Sequence, residues 1–192
     1  MSRDKRFALA VALVLFSLTI TFLFLAVRFL ASNEIEVIAI NDRSYFDFVR
    51  NAIEKASDEV LVAVFELTYY SRFPNSSSNR LVQELAFAKE RGVRVKVLLD
   101  SGNEIESVRR VNAYACKLLR KLGIDARMEN SSSLLHAKFV VIDDELLILG
   151  SSNWNYHSLV LNHEANVAIR SRKIAKLYKE YFNGLWQNST AC

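Results

Sequence analysis

Residues 134–154 read LLHAKFVVIDDELLILGSSNW, in which two short apolar runs stand among an unusual number of polar side chains. Both runs are rich in Leu, Ile and Val, which predicts two strands of a sheet. Side chains two residues apart on a strand share a face, so His136 and Lys138 point the same way. Asp143, seven residues after His136, points to the opposite face. We therefore expect Asp143 to be structural and the other two residues to share one site.

The residue types on the shared face suit a reaction at a phosphodiester. A neutral imidazole such as His136 can attack phosphorus, and the Lys138 amine can neutralise the charge that develops on its oxygens. Ser151 and Asn153 share a face if their segment is extended, and both can donate hydrogen bonds to the same oxygens. A nucleophilic imidazole needs its second nitrogen held, and Glu164 in the following strand is a candidate for that role. The alternative, a structural histidine on a strand edge, does not explain why all five residues occur together.

The rest of the chain alternates strand-like and helix-like segments. Continuous apolar runs predict strands at residues 36–40, 60–67, 93–100, 134–142, 145–149 and 163–170. Apolar stripes at helical spacing, together with helix start and stop signals, predict helices at about residues 44–53, 80–91, 103–122 and 172–183. This alternation predicts an α/β fold, in which a mixed β-sheet is sandwiched between helices.

An apolar run without any charged residue covers residues 7–27. As a helix it would be about 30 Å long, the thickness of the hydrocarbon core of a bilayer. The run is long for a signal peptide, and Phe29-Leu30-Ala31 is a poor cleavage site. We therefore predict one N-terminal transmembrane helix that anchors the chain within residues 1–31, and one folded domain at residues 32–192. A cleaved secretory signal is the alternative.

The distribution of charge predicts the orientation and limits the partners. Basic residues precede the apolar run and acidic residues soon follow it, which predicts a cytoplasmic N-terminus and a domain on the far side of the membrane. Residues 1–31 hold four of the 25 basic and one of the 21 acidic residues, so the remainder carries a net charge of about +1. A globally basic nucleic-acid binder is not indicated. Cys116 and Cys192 leave a disulfide open without predicting it.

Three elements of the sequence resemble the phospholipase D superfamily. HAKFVVID (136–143) matches its H-x-K-x4-D signature, GSSN (150–153) matches its G-S-x-N element, and NHE (162–164) resembles its N-x-E element. The resemblance covers roughly residues 35–185, so residues 32–192 would form a phospholipase D-like catalytic domain. It implies that His136 is the nucleophile of a phosphohistidine intermediate and that Glu164 orients its imidazole. Phosphate would be bound by Lys138, Ser151 and Asn153, and Asp143 would be structural.

One departure from the family pattern predicts the quaternary structure. Members that act as monomers carry two H-x-K-x4-D motifs, whereas this chain has one, and its remaining histidines, His157 and His163, have no Lys two residues later. We read both as structural or as part of the rim of the site. The resemblance implies a homodimer that brings two copies of His136 together at the two-fold interface. Short single-motif relatives include bacterial endonucleases of the Nuc type and membrane-anchored mitochondrial proteins of the Zucchini kind.

The resemblance leaves the substrate open. The first expectation is a metal-independent phosphodiesterase, most simply an endonuclease on DNA or RNA. The alternative is a phospholipase D, a cardiolipin-type phospholipid hydrolase or a phosphatidyl transferase at a membrane surface. A third reading is a non-catalytic membrane module that binds nucleic acid or protein. No metal or other cofactor is expected, since the zinc-binding Cys/His insertion of the Zucchini kind has no counterpart here.

Overall fold

The computed structural model describes residues 12–24, 35–102, 105–129 and 131–192. Contacts divide the chain into two units, residues 1–35 and 36–192, and each is considered by itself. In the first unit, residues 12–24 form a helix, α1. Within the described ranges, no helix has both the length and the apolar character needed to cross a membrane. Of the predicted transmembrane segment at 7–27, residues 7–11 and 25–27 lie outside the described residues.

The second unit contains a single eight-stranded sheet and four long helices. Its elements are β1 (Glu36–Ala39), α2 (Arg43–Lys55), β2 (Glu59–Val64), α3 (Ser77–Glu90), β3 (Arg94–Asp100), α4 (Glu106–Lys121), β4 (Asp125–Glu129), β5 (Lys138–Ile142), β6 (Leu146–Gly150), a π-helical turn (His157–Leu161), β7 (Asn166–Arg170), α5 (Arg172–Gln187) and β8 (Ser189–Ala191). The strand order is β1-β7-β6-β5-β2-β3-β4-β8. Among the neighbouring strands of the described residues, the pairs β2–β3 and β3–β4 are parallel and the other pairs are antiparallel. The predicted mixed α/β fold is confirmed.

The sheet is covered on both faces because its central strands are apolar on both sides. In β2, Val60, Val62 and Val64 belong to one core cluster, while Leu61 and Ala63 belong to another. The first cluster takes in buried side chains of α2, α3 and α4, and the second takes in those of α5. Burial of the whole strand stabilises the fold through the hydrophobic effect. A continuous apolar run predicts this burial on both faces of a strand.

The C-terminal end of the chain contains two features that the sequence did not predict. Ser189–Ala191 adds β8 to the edge of the sheet beside β4. Cys192, directly after β8, forms a disulfide with Cys116 of α4. The disulfide therefore links the last residue of the chain to a helix that packs on the same sheet.

Strand directions bring the motif residues together at one end of the central strands. Parallel strands β2 and β3 finish at this end, and antiparallel β5 begins there, with Val64 paired to Lys138. Strand β6 finishes and β7 begins at the same end, where Gly150 pairs with Asn166. A side chain at Gly150 would collide with Asn166 and with the backbone of Ala165. This close approach explains the glycine of the G-S-x-N element.

Candidate active site

His136 lies in the loop just before β5, and its side chain is exposed. The imidazole packs beside the buried ring of Phe65, directly after β2, with 4.9 Å between the ring centroids and 60° between the ring planes. The backbone N–H of the preceding Leu135 donates a 2.8 Å hydrogen bond to Oδ2 of Asp100. Packing and backbone anchoring therefore hold the imidazole in position while leaving it open to solvent.

Asp100 and Asn112 form a buried scaffold beneath this loop. The carboxylate of Asp100 accepts hydrogen bonds from the backbone N–H groups of Gly102 and Leu135. The Asn112 amide donates to the backbone oxygens of Phe65 and Asp100, at 2.8 and 2.9 Å. The Asn112 side chain thus joins the ends of β2 and β3. The Asp100 carboxylate then joins the end of β3 to Leu135, the residue before His136. The sequence motifs identified neither residue; the only signal was an Asp ending the apolar run at 93–100.

Lys138 is the first residue of β5 and is buried, with 9% of its surface exposed. Its Nζ donates a 2.6 Å hydrogen bond to the backbone oxygen of His136 and lies 5.0 Å from the centroid of Phe65. Burial lowers the pKa of Lys138 to about 8. Nearby carboxylates, those of Glu164, Asp100 and Glu66, oppose this shift because they favour the protonated amine. Lys138 is therefore a cation whose charge is easily lost above neutral pH.

Glu164 is a buried carboxylate just before β7, and it contacts Ser151. The Ser151 hydroxyl donates to Oε2 of Glu164, and the side-chain amide of Asn162 donates to Oε1 at 3.2 Å. The backbone N–H of Glu164 is held by Asp42 at 2.7 Å. In the described part of the chain, the carboxylate does not contact the His136 imidazole, which it is predicted to orient. It instead accepts hydrogen bonds from Asn162 of the N-x-E element and from Ser151 of the G-S-x-N element.

Asn153 contributes a polar group without a partner. Its side-chain Oδ1 is buried and accepts no hydrogen bond in the described part of the chain. The neighbouring Ser152, by contrast, is engaged by Asn166, whose amide donates to the Ser152 hydroxyl at 2.9 Å. Ser152 and Asn166 therefore hold β6 against β7, and the Asn153 amide is the side chain of this element left available to bind a ligand.

Asp143 lies at the other end of β5 from His136. Its Oδ1 accepts the backbone N–H groups of Asp58 and Glu59, and its Oδ2 accepts the backbone N–H and hydroxyl of Ser57. Burial raises the pKa of this carboxyl, but the hydrogen bonds from Glu59, Ser57 and Asp58 outweigh it and hold the pKa below its usual value. Asp143 therefore anchors the turn that leads from α2 into β2.

Three further side chains lie near the site. Trp154 is buried in the core, and its indole N–H donates to the Tyr45 hydroxyl at 3.1 Å. His163 is almost fully exposed and contacts Asp42 at 3.3 Å. His157 lies at the start of the π-helical turn. Among the described residues, no group of three or more His, Cys, Asp or Glu side chains is arranged to hold a metal ion.

The arrangement of these side chains agrees with a family match. Residues 49–186 match the family model described as "Cardiolipin synthase, PLD-like domain", which is most of the chain. The chain belongs to the phospholipase D superfamily. The matched region contains all five of the predicted catalytic and phosphate-binding residues as well as Asp143.

Curated members with similar sequences act on or make cardiolipin, according to their names. The mitochondrial cardiolipin hydrolases of mouse and human are each 31% identical over 111 residues, which is 58% of this chain and 48% and 42% of those proteins. Cardiolipin synthase B of Escherichia coli K12 is 33% identical over 106 residues, 55% of this chain and 25% of that protein. The chain thus spans less than half the length of these relatives.

Solved structures show the same fold in members of about this domain's size. Nuc, a phospholipase D family member from Salmonella typhimurium, superposes with a TM-score of 0.71 at 23% identity, over 83% of this chain and 99% of that one. NucT from Helicobacter pylori superposes with a TM-score of 0.66 at 14% identity, over 83% and 100% of the two chains. At these identities the likeness establishes the fold alone.

Proposed function

We propose that this chain is a phosphodiesterase that works as a homodimer through a covalent phosphohistidine, with nucleic acid as its substrate. One observation carries the proposal: the exposed His136 imidazole and the buried Lys138 amine both lie within 5.0 Å of the Phe65 ring centroid, and the Glu164 carboxylate acts electrostatically on that amine. A nucleophile thus stands next to a cation, in a site whose buried groups strengthen electrostatic interactions.

In the first step, a ring nitrogen of His136 attacks phosphorus and forms a P–N bond as the P–O bond to the leaving group breaks. The partner subunit's His136 donates a proton to the leaving oxygen, which departs as a hydroxyl. In the second step, the same partner imidazole removes a proton from water, the water oxygen bonds to phosphorus, and the P–N bond breaks. Both imidazoles return to their starting states.

The other side chains stabilise charge in both steps. Lys138 and the Asn153 amide bind the non-bridging oxygens, where negative charge builds up in each transition state. Ser151 joins that set when its hydroxyl proton turns from Glu164, which it contacts in this structure, to a substrate oxygen. Because Glu164 does not contact His136 within its own chain, we propose that it orients the imidazole across the dimer interface. The positive charge comes from Lys138, so this scheme requires no metal ion.

A cleavage panel tests the proposal. Purified chain is incubated with chelator and single-stranded DNA, double-stranded DNA or RNA, beside the His136→Ala variant. We expect cleavage by the parent alone, together with an acid-labile phosphoryl adduct after rapid quenching. Mixing the parent with an excess of His136→Ala should lower the activity further than dilution alone, because a mixed dimer has one imidazole and lacks either the nucleophile or the general acid. Intact substrates throughout would refute the proposal.

A phospholipid is the second candidate substrate, because the curated relatives of 30–33% identity are named for cardiolipin. The same covalent chemistry would release a headgroup or transfer a phosphatidyl group. Detergent-solubilised chain with vesicles of phosphatidylcholine or cardiolipin tests it. Headgroup release that depends on His136, without cleavage of nucleic acid, would replace the first candidate. A chain that cleaves neither nucleic acid nor phospholipid, but binds nucleic acid or a protein, would be a non-catalytic module.

A further inference from the structure

A second concave surface lies on the chain beyond the motif residues. This aromatic cleft has a volume of about 750 Å³ and is lined by Tyr70, Arg72, Phe73, Pro74, Asn75, Ser76, Ser77, Tyr156, His157 and Val160. One wall is the loop between β2 and α3, and the other is the start of the π-helical turn. None of its lining residues belongs to the predicted catalytic set.

One buried side chain holds the first wall in a defined conformation. Asn79 of α3 is fully buried, and its Oδ1 accepts the backbone N–H of Tyr70 at 2.9 Å. Its Nδ2 donates to the backbone oxygens of Tyr70 and Phe73, at 3.0 and 3.1 Å. The opposite wall is joined to the first by the Tyr156 backbone N–H, which donates to the Tyr70 hydroxyl at 2.9 Å. The cleft is therefore preformed, which lowers the entropy cost of binding a ligand.

The side chains of the cleft suit a base attached to a phosphate. Phe73 is 66% exposed and Tyr156 is 47% exposed, so two aromatic rings face solvent, and the backbone of both residues is held by hydrogen bonds. Among the described residues that line the cleft, Pro74 and Val160 are the two apolar side chains that are not aromatic. An acyl chain would favour an aliphatic lining, whereas ring faces interspersed with hydroxyl and amide groups suit a nucleobase. Arg72 adds a cation that forms no ion pair within the described residues, so it is free to bind a phosphate.

Both walls of the cleft begin a few residues after residues of the active site. Phe65, which contacts His136, is five residues before Tyr70, so their Cα atoms are at most about 17 Å apart. Asn153 is three residues before Tyr156. Between these points the two walls are bonded to each other, since Trp154 pairs with Leu67. A strand whose phosphate lies at His136 can thus reach the cleft within a few nucleotides.

We propose that the aromatic cleft binds an unpaired nucleotide of the substrate strand, with its base on the exposed rings and its phosphate at Arg72. This inference rests on the proposed nuclease function and names its substrate class as single-stranded nucleic acid. Paired bases are stacked within a duplex and cannot lie on protein rings. The cleft therefore selects single strands, while the chemistry at phosphorus is common to all phosphodiesters.

The test compares two phosphodiester substrates of different size. Bis(4-nitrophenyl) phosphate has no strand to extend into the cleft, whereas a single-stranded oligonucleotide of 12 residues does. For the double variant Phe73→Ala/Tyr156→Ala we expect KM for the oligonucleotide to rise about tenfold or more. Its kcat, and both constants for the small ester, should stay at the parent values. Phe87→Ala is the matched control, because Phe87 is a 52% exposed aromatic of α3 outside the cleft.

Two further measurements separate the base from the phosphate. An oligonucleotide with abasic residues keeps its phosphates, so its KM should not respond to the double variant. Arg72→Ala should reduce the salt dependence of oligonucleotide binding by about one phosphate contact.

The outcomes distinguish the failure of each claim. Parent protein that leaves both substrates intact would refute the proposed function itself. Parent protein that cleaves both, with the double variant unchanged on the oligonucleotide, would overturn only the cleft assignment. The assignment would also fall if the double variant lost activity on phospholipid vesicles alone, which would indicate an acyl-chain site. It would fall equally if the variant changed the sedimentation of the dimer, which would indicate a subunit contact.

Discussion

The two ends of β5 carry the two halves of the H-x-K-x4-D motif, and they differ in how their polar groups are satisfied. At the Asp143 end, both carboxylate oxygens are used by four hydrogen bonds from the segment 57–59. At the opposite end, the His136 ring is exposed and packs on Phe65 without a side-chain hydrogen bond in the described part of the chain. Saturated groups stabilise a fold, whereas accessible groups with unused capacity can act on a ligand.

The same contrast applies to charge. Lys138 has its pKa lowered by burial, which disfavours the charged amine. The Asp143 carboxylate overcomes its burial through hydrogen bonds that favour the charged form. One end of the strand therefore holds a charge at a cost to stability, and the other holds a charge that adds to stability. This difference leads to four predictions, ordered by the size of the expected effect on turnover.

Replacing the nucleophile should have the largest effect. His136→Ala should lower kcat by on the order of 10⁴-fold or more, since both the nucleophile and the general acid of the dimer are lost. Its free energy of unfolding should change by about 0.5 kcal/mol or less, because the side chain is exposed. Steady-state kinetics and urea unfolding measure the two quantities. An equal loss of stability would show that this end of β5 is structural after all.

Replacing Asp100 should have the second largest effect. Asp100→Asn turns one acceptor oxygen into a donor that faces a backbone N–H, which releases the residue before His136 or the turn at Gly102. We expect kcat to fall roughly 10- to 100-fold with little change in KM, since a small misplacement of a catalytic group is costly. Pre-steady-state quenching should show the phosphohistidine forming more slowly.

Asp143→Asn is the matched control, because it makes the same exchange in the turn after β5, at the end of that strand away from His136. Asn tolerates the positive φ of 53° at this position, so the backbone is not strained. Both Asn variants should lose about 1–3 kcal/mol of unfolding free energy. Only Asp100→Asn should lose turnover per folded molecule. Equal kinetic losses in the two variants would mean that Asp100 has no positioning role.

The pH dependence of turnover should reflect the buried amine. As pH rises through about 8, Lys138 loses its proton and its charge, so kcat/KM should fall up to tenfold per pH unit. Lys138→Arg keeps a cation at every accessible pH, and this alkaline decline should disappear even if the rate is lower. A parent profile that stays level up to pH 10 would contradict the assignment. The free energy of unfolding should rise between about pH 8 and pH 10.5, because the folded chain has lost the buried charge in this range while the unfolded chain still binds the proton.

The smallest effect on turnover is expected for Asp143, whose carboxylate should affect stability in acid and leave catalysis unchanged. The lowered pKa of Asp143 contributes stability above its unfolded value of 3.8, and this contribution is lost as pH falls through the folded value. Unfolding curves between pH 5 and 2 should therefore converge for the parent and Asp143→Asn. Turnover at pH 7 should be unchanged in the variant. A constant stability difference down to pH 2 would show that the charge of Asp143 is unimportant.

Much of the fold followed from local patterns, and the misses have physical causes. The apolar runs at 60–67 and 93–100 predicted strands correctly because burial on both faces leaves an uninterrupted apolar signal. Strand β4 was missed because DARME is short and mixes charged with apolar residues. Strand β8 was missed because it is an edge strand of three residues. The disulfide required the positions of Cys116 and Cys192 in space, which spacing along the chain cannot provide.

By itself the sequence determined the chemical character of the site, because the types and spacing of its motif residues identify it. Strand alternation did not place His136, which lies in the loop before β5, whereas the turn after β5 sets Asp143 apart. The sequence also determined the layering, since apolar periodicity follows from burial. Only the tertiary structure decided that the Phe65 ring lies close to both His136 and Lys138, and that Asp100 of β3 holds the loop before β5. These contacts join residues that are 35 to 73 positions apart along the chain. The order of the strands in the sheet determines which of these distant residues come into contact. The pKa of Lys138 belongs to this second class, because desolvation depends on the neighbours that the fold brings together.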